Sequence, residues 1–223
     1  MTFKDLQNLY DKKKTLFGKN AYKHISEVFE EAKALHKKDF RGRDHEQSWR
    51  SFKGKNLEKL VEYIITDEIK SIGLDVVNGN SLERTECANL SKKLGKVKRN
   101  LLIDFGGECG CHMPDVDIVV FNPEDSMVVA ALSVKVTLRE RIAQTGYWKL
   151  KLAADKNTKH IRVFFVTPDE DGTLTKKNPV KKGRAIVEKD LDGGYVMTET
   201  KIETSDKIKM FDKLVADLKK LIK

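Results

Sequence analysis

The chain predicts an α/β fold, a central mixed β-sheet flanked by helices and preceded by a helical N-terminal region. Three observations carry this. Two apolar runs, VDIVVF (116–121) and MVVAALSVKV (127–136), are separated by the turn residues Asn122-Pro123-Glu124-Asp125, which makes them neighbouring antiparallel strands. A third run, HIRVFFVTP (160–168), follows a helical stretch, and a helical crossover lays it parallel to the strand before it. Upstream, Leu57, Leu60, Val61, Ile64, Ile65, Ile69 and Ile72 form one apolar stripe at helical spacing.

The 223 residues suffice for a real core and are expected to form a single domain, 1–223, with 1–50 as a helical extension or subdomain. The formal charge is +9, from 43 Lys and Arg against 34 Asp and Glu, so basic and acidic groups form patches and a polyanion is a natural partner. The longest apolar run, MVVAALSV, is strand-sized, which excludes a membrane-spanning helix. The opening MTFKDLQNLYDKKK lacks the apolar core of a signal peptide, and three cysteines, an odd number, fit a reducing cytoplasm.

In order, residues 4–38 read as helical, with Tyr22, Ile25, Phe29, Ala32 and Leu35 on one face. Residues 36–55 form a basic connector carrying Phe40, Trp49 and Phe52, either a surface for a polyanion or a linker whose aromatics fold inward. The striped helix spans 55–72, and LDVVNGN (74–80) is a short strand or loop turning at Asn78-Gly79. A helix over 81–95, with Ser81 as N-cap, precedes a strand over 96–105. Around their junction Lys92, Lys93, Lys96, Lys98 and Arg99 cluster as phosphate contacts or as a solvated face. The glycine-rich loop 106–115 delivers Asp115; alternatively Cys87, Cys109, Cys111 and His112 form a Cys3His zinc site. Helix 137–155 opens with a Thr137-x-x-Glu140 capping box. Residues 169–184 read as a polar loop with four lysines and an arginine, and Asp192-Gly193-Gly194 as a turn. A last helix, capped by Ser205, buries Ile208, Phe211, Leu214, Val215, Leu218 and Leu221 against the domain or a second protomer.

The chemistry lies at the hairpin. Residues two apart share a strand face, so Asp115 and Asp117 point one way and Ser133 and Lys135 share a face of the neighbouring strand. Where those faces meet, one or two carboxylates and an ammonium make a hard-cation site with a charged donor beside it.

Pro114-Asp115 and Ser133-x-Lys135 resemble the PD-(D/E)xK nuclease superfamily, and within it the type II restriction endonucleases. The serine in the acidic position is similar to the branch that cuts CCGG- and CCWGG-type sites. Lys135, Thr137, Arg139, Glu140, Arg141 and Gln144 follow that branch's K-x-T-x-(K/R)-(D/E)-R-x-x-Q spacing. The resemblance covers residues 50 to 167 and implies a restriction-endonuclease-like core, Mg²⁺-dependent hydrolysis of double-stranded DNA by a prokaryotic cytoplasmic enzyme, and a homodimer. It implies Asp115 and/or Asp117 as metal ligands, Lys135 at the attacking water, and Ser133 on a metal-held water. Where the branch often has a later glutamate this chain has Trp148, so the second carboxylate falls to Glu58, with Glu62 in reserve and Glu140 ranked lower because its capping box occupies it. Arg139, Arg141, Gln144, Lys98 and Arg99 are the expected DNA contacts. The competing readings are a junction-resolvase-like repair nuclease and a DNA-binding protein without catalysis.

Overall fold

The computed structural model describes residues 1–137 and 139–222, with Arg139 and Glu140 described by backbone alone. Chain order runs α1 (Phe3–Phe17), α2 (Ile25–Asp39), α3 (His45–Ser71), β1 (Asp75–Asn78), α4 (Gly79–Arg84), α5 (Lys92–Leu101), β2 (Ile103–Asp104), β3 (Cys111–His112), β4 (Ile118–Phe121), β5 (Val128–Val134), α6 (Arg139–Ala154), β6 (Arg162–Thr167), α7 (Lys182–Asp190), β7 (Gly193–Val196), β8 (Ile208–Met210) and α8 (Leu214–Lys220). Among the described residues one sheet has six strands in the order β1-β4-β5-β6-β7-β8, and β2 and β3 make a separate hairpin. β1, β4 and β5 are mutually antiparallel, whereas β5 through β8 run parallel. The mixed sheet and its parallel crossover therefore stand as the sequence predicts.

β4 and nearly all of β5 are buried because both sheet faces are covered, which is why their sequences are continuously apolar rather than alternating. Ile118, Val120, Leu132 and Val134 face a core shared with α1, α2, α3 and α8. Val119, Phe121, Ala131 and Phe165 face α4 through α7. No helix among the described residues is long and apolar enough to cross a membrane.

α3 is longer than the striped helix predicts. Asp44 caps it, accepting the Gln47 N–H at 3.0 Å, and the supposed connector is already helical from His45. Residue 50 thus lies inside an unbroken helix, and Trp49 is buried against Phe29. The helix ends in a Schellman turn: Gly73, at φ 83°, donates to the Lys70 carbonyl, and Leu74 donates to that of Ile69.

Four expectations fail for physical reasons. Residues 96–105 are mostly helix, because Leu94, Val97 and Leu101 recur at helical spacing and Ser91, not Ser81, caps the run. Gly193 and Gly194 lie in β7 rather than a turn; a Cβ on Gly194 would stand 2.8 Å from Val187 Cγ1, so the glycine lets α7 press on the sheet. Ser205 caps no helix: its hydroxyl takes the Ile208 N–H at 2.9 Å, and Ile208–Met210 joins the sheet beside β7. Arg184 is no loop cation but a fully buried side chain in α7, donating to the carbonyls of Leu174 and Glu203.

Candidate active site

β4 and β5 end side by side, and the residues just outside those ends carry the charged groups. Asp117 precedes β4, and its N–H donates to the Leu132 carbonyl at 3.0 Å, so the strand ladder fixes its backbone. Its carboxylate is only 2% exposed. Oδ2 accepts the Val134 N–H at 2.6 Å and Oδ1 meets Lys135 Nζ at 2.7 Å, and these charge-assisted bonds let the group remain buried. Lys135 follows β5 and donates its own N–H to the Val166 carbonyl at 3.0 Å. Its ammonium then reaches Glu58 Oε1 of α3 at 3.2 Å. A sheet edge and a helix are thereby joined through one nitrogen.

Gly79 holds this corner in shape. It donates to the Asp117 carbonyl at 2.8 Å, and a Cβ on it would lie 1.9 Å from the Val116 carbonyl oxygen. The next residue, Asn80, donates to Glu58 Oε2 at 3.4 Å.

The charges are mutually tuned. Burial, then the neighbouring Asp117 charge, pushes the Glu58 carboxyl up to about 7, with Lys135 opposing. Burial alone would depress the Lys135 ammonium, but Asp117 and Glu58 outweigh it and hold the group above its ordinary value. A cleft of about 860 Å³ opens over these groups, walled by α3 on one side and by Val136, Thr137 and Arg141 on the other.

The expected residues divide. Asp117, Lys135 and Glu58 touch; Asp115 lines the same cleft but turns its carboxylate to Gln144 Nε2 at 2.6 Å. Glu62 lies one turn beyond Glu58, beside Asn78, and burial raises it. Ser133 and Lys135 do not share a face. Ser133 lies in β5 and bonds Thr145 of α6 at 3.0 Å, whereas the chain bends past Val134 and sends Lys135 toward α3. Arg141 reaches the cleft; the side chains of Arg139 and Glu140, and with them the capping box, lie outside the described residues. Lys98 is spent on the Glu83 and Thr85 carbonyls at 2.8 Å each, and neither it nor Arg99 lines the cleft.

Cys87, Cys109 and Cys111 are free and exposed, and His112 bonds the Cys109 carbonyl at 2.7 Å, so no zinc centre is assembled there among the described residues. The convergent donors that do occur among them are His24, Glu27 and Glu199, and Lys13 already pairs with Glu27 at 2.6 Å. Sequence reading missed Asn80, Arg50, Lys53, Lys55 and Glu170 on the cleft wall. The signal for the α3 residues was present in the basic connector, whose helical spacing went unused.

The family model for BsaWI restriction endonuclease, type 2, matches residues 93–217. The chain is 38% identical over 177 residues to the provisionally named type II restriction enzyme MjaVIP of Methanocaldococcus jannaschii, covering 77% of this chain and 76% of the relative. It is 34% identical over 135 residues to the provisionally named type II restriction enzyme HpyAORF263P of Helicobacter pylori, covering 60% and 67%. The restriction endonuclease AgeI, solved in a specific complex with DNA, shares the fold with a TM-score of 0.62 at 14% identity, covering 99% of this chain and 92% of that one.

Proposed function

Because the chain belongs to the BsaWI family of type II restriction endonucleases and so cleaves double-stranded DNA at specific sequences, we propose that it does so in the cleft over Asp117, Glu58 and Lys135. The observation that carries this is the meeting of two carboxylates from separate elements at one ammonium, 2.7 and 3.2 Å away. The family is one of divalent-metal enzymes, and hard oxygen donors in this number suit Mg²⁺. Asp117 and Glu58 would hold the ion, with Asp115 as a further carboxylate on the wall. When bound, it supplies charge compensation to the phosphate and a more acidic water.

The chain's own groups do the rest. Lys135, held as an ammonium, orients the attacking water and donates to a phosphate oxygen as negative charge builds there. In that state it carries no lone pair, so it is no general base. Arg141, from the opposite wall, offers a planar fork to the same phosphate. Gln144 aims Asp115, and Ser133 seats α6 through Thr145, so the serine acts at one remove. A homodimer matches a palindromic site, each protomer cutting one strand. Three exposed thiols suit the reducing cytoplasm. The resolvase-like and catalytically inactive readings are not favoured by the family membership.

Plasmid incubated with Mg²⁺ should yield discrete fragments. Lys135→Ala should slow single-turnover cleavage by roughly 10²–10³-fold while still binding the cleaved sequence. Cutting by that variant at near the wild-type rate would overturn the assignment.

A further inference from the structure

The face of α3 that fronts the cleft is bare at one point. Gly54 lies inside the 27-residue helix and lines the cleft, yet a Cβ placed on it would meet nothing within 4 Å. Glycine is the poorest helix former after proline, and no packing neighbour calls for it here. Arg50, Gly54 and Glu58 recur every four residues, a spacing that puts them on one side of a helix at about 6 Å intervals. The bare point therefore sits one turn from the carboxylate that meets Lys135. Beside it, Lys53 is ion-paired with Glu170, whereas Arg50 and Lys55 are exposed, line the cleft and form no ion pair among the described residues.

We infer that the Arg50–Gly54–Lys55 surface of α3 is a seat for the sugar-phosphate backbone of duplex DNA, adjoining the scissile phosphate. The missing side chain at Gly54 lets a strand run close along the helix, and the two cations neutralise phosphates flanking the reacting one. This rests on the cleft being the cleavage site, and it moves the expected backbone contacts from the Lys98–Arg99 cluster to α3.

Binding to a mixed-sequence 30-base-pair duplex at fixed Mg²⁺, followed by anisotropy across a salt series, tests the seat. Gly54→Ala and Gly54→Gln should each raise Tm by roughly 2–4 °C, because open space receives a better helix former. Gly54→Gln should nevertheless weaken duplex binding tenfold or more. The Arg50→Gln/Lys55→Gln double variant should flatten the slope of log K against log salt by about 1.8, and Lys12→Gln on the outer face of α1 should leave it unchanged. A Gly54→Gln protein that gains stability and binds as wild type overturns the seat, as does an unaltered slope in the double variant. Plasmid cleavage by the wild type is read separately. If it fails while the variants still lose duplex binding, the cleavage assignment falls, and with it the placement beside a scissile phosphate, while the seat stands as a duplex-binding surface.

Discussion

Gly79 has no side chain to offer the cleft, yet among the described glycines it is the one whose Cβ would have least room. Any Cβ there drives the Val116 carbonyl away, and Asp117 is the next residue. Gly79→Ala should destabilise the protein by about 1–3 kcal/mol and cut single-turnover cleavage about a hundredfold, since misplacement of a reacting group by an ångström costs that much. Denaturant melts and rapid-quench assays read the two effects. Glu58 gives a second prediction at this scale. Its carboxyl titrates near 7 in the folded, metal-free protein against about 4.5 when unfolded. The native state therefore holds the extra proton between those values, and stability falls as pH rises through that window. Glu58→Gln should remove the loss: in EDTA it should be more stable than wild type at pH 8, on the order of 2–3 kcal/mol, and similar to it near pH 4.5. Equal stability at both pH values would count against the buried like-charge arrangement. That Asp117, Lys135 and Glu58 could converge was legible in the sequence, because the strand period offered Asp117 beside Asp115, the motif named the lysine, and the serine at 133 called for a further carboxylate. Which of Asp115 and Asp117 meets Lys135 was not legible, since it turns on a ladder bond to Leu132 and a distant Gln144. The position of Ser133 was misread because a two-residue period stops at Val134, one residue before the lysine.

Among the elements, β4, β5, β6 and the 55–72 part of α3 were readable because each carries an apolar run or stripe that the fold buries. α5 and β8 were not. In α5, lysines at 96 and 98 around Val97 imitate strand alternation, and only burial of Leu101 with Val97 reveals the helix. In β8, three residues pair with a parallel neighbour that no local pattern announces. The loop before α7 hides the clearest consequence. Arg184 satisfies the buried Leu174 carbonyl and the part-buried Glu203 carbonyl and lies near Glu188, tying residues 174 and 203 to the helix. Arg184→Met keeps the volume and removes the donors, so it should cost about 3 kcal/mol and lower Tm by roughly 6–12 °C. A melting temperature within a degree of wild type would show that these bonds contribute little.

At the scale of the whole molecule, the covered sheet accounts for the position of the proposed site. Both faces are closed by helices, so chemistry is left to the strand ends, where α3 and the β5–α6 junction stand apart over a polar cleft. The chain's net charge of +9 favours a polyanion, whereas the carboxylates of the cleft would repel DNA on their own, so in the proposed function a bound cation would ease substrate approach. In solution the enzyme should run at twice its 25.5 kDa chain mass by light scattering; a monomer at working concentration would contradict the two-fold arrangement. The most direct test of the catalytic centre is an anomalous difference map from crystals grown with Mn²⁺ and a cleaved duplex. The account predicts a peak in contact with the carboxylates of both Asp117 and Glu58, with Lys135 Nζ against a phosphate oxygen. A metal peak away from both carboxylates, beside a phosphate that Lys135 does not touch, would contradict it.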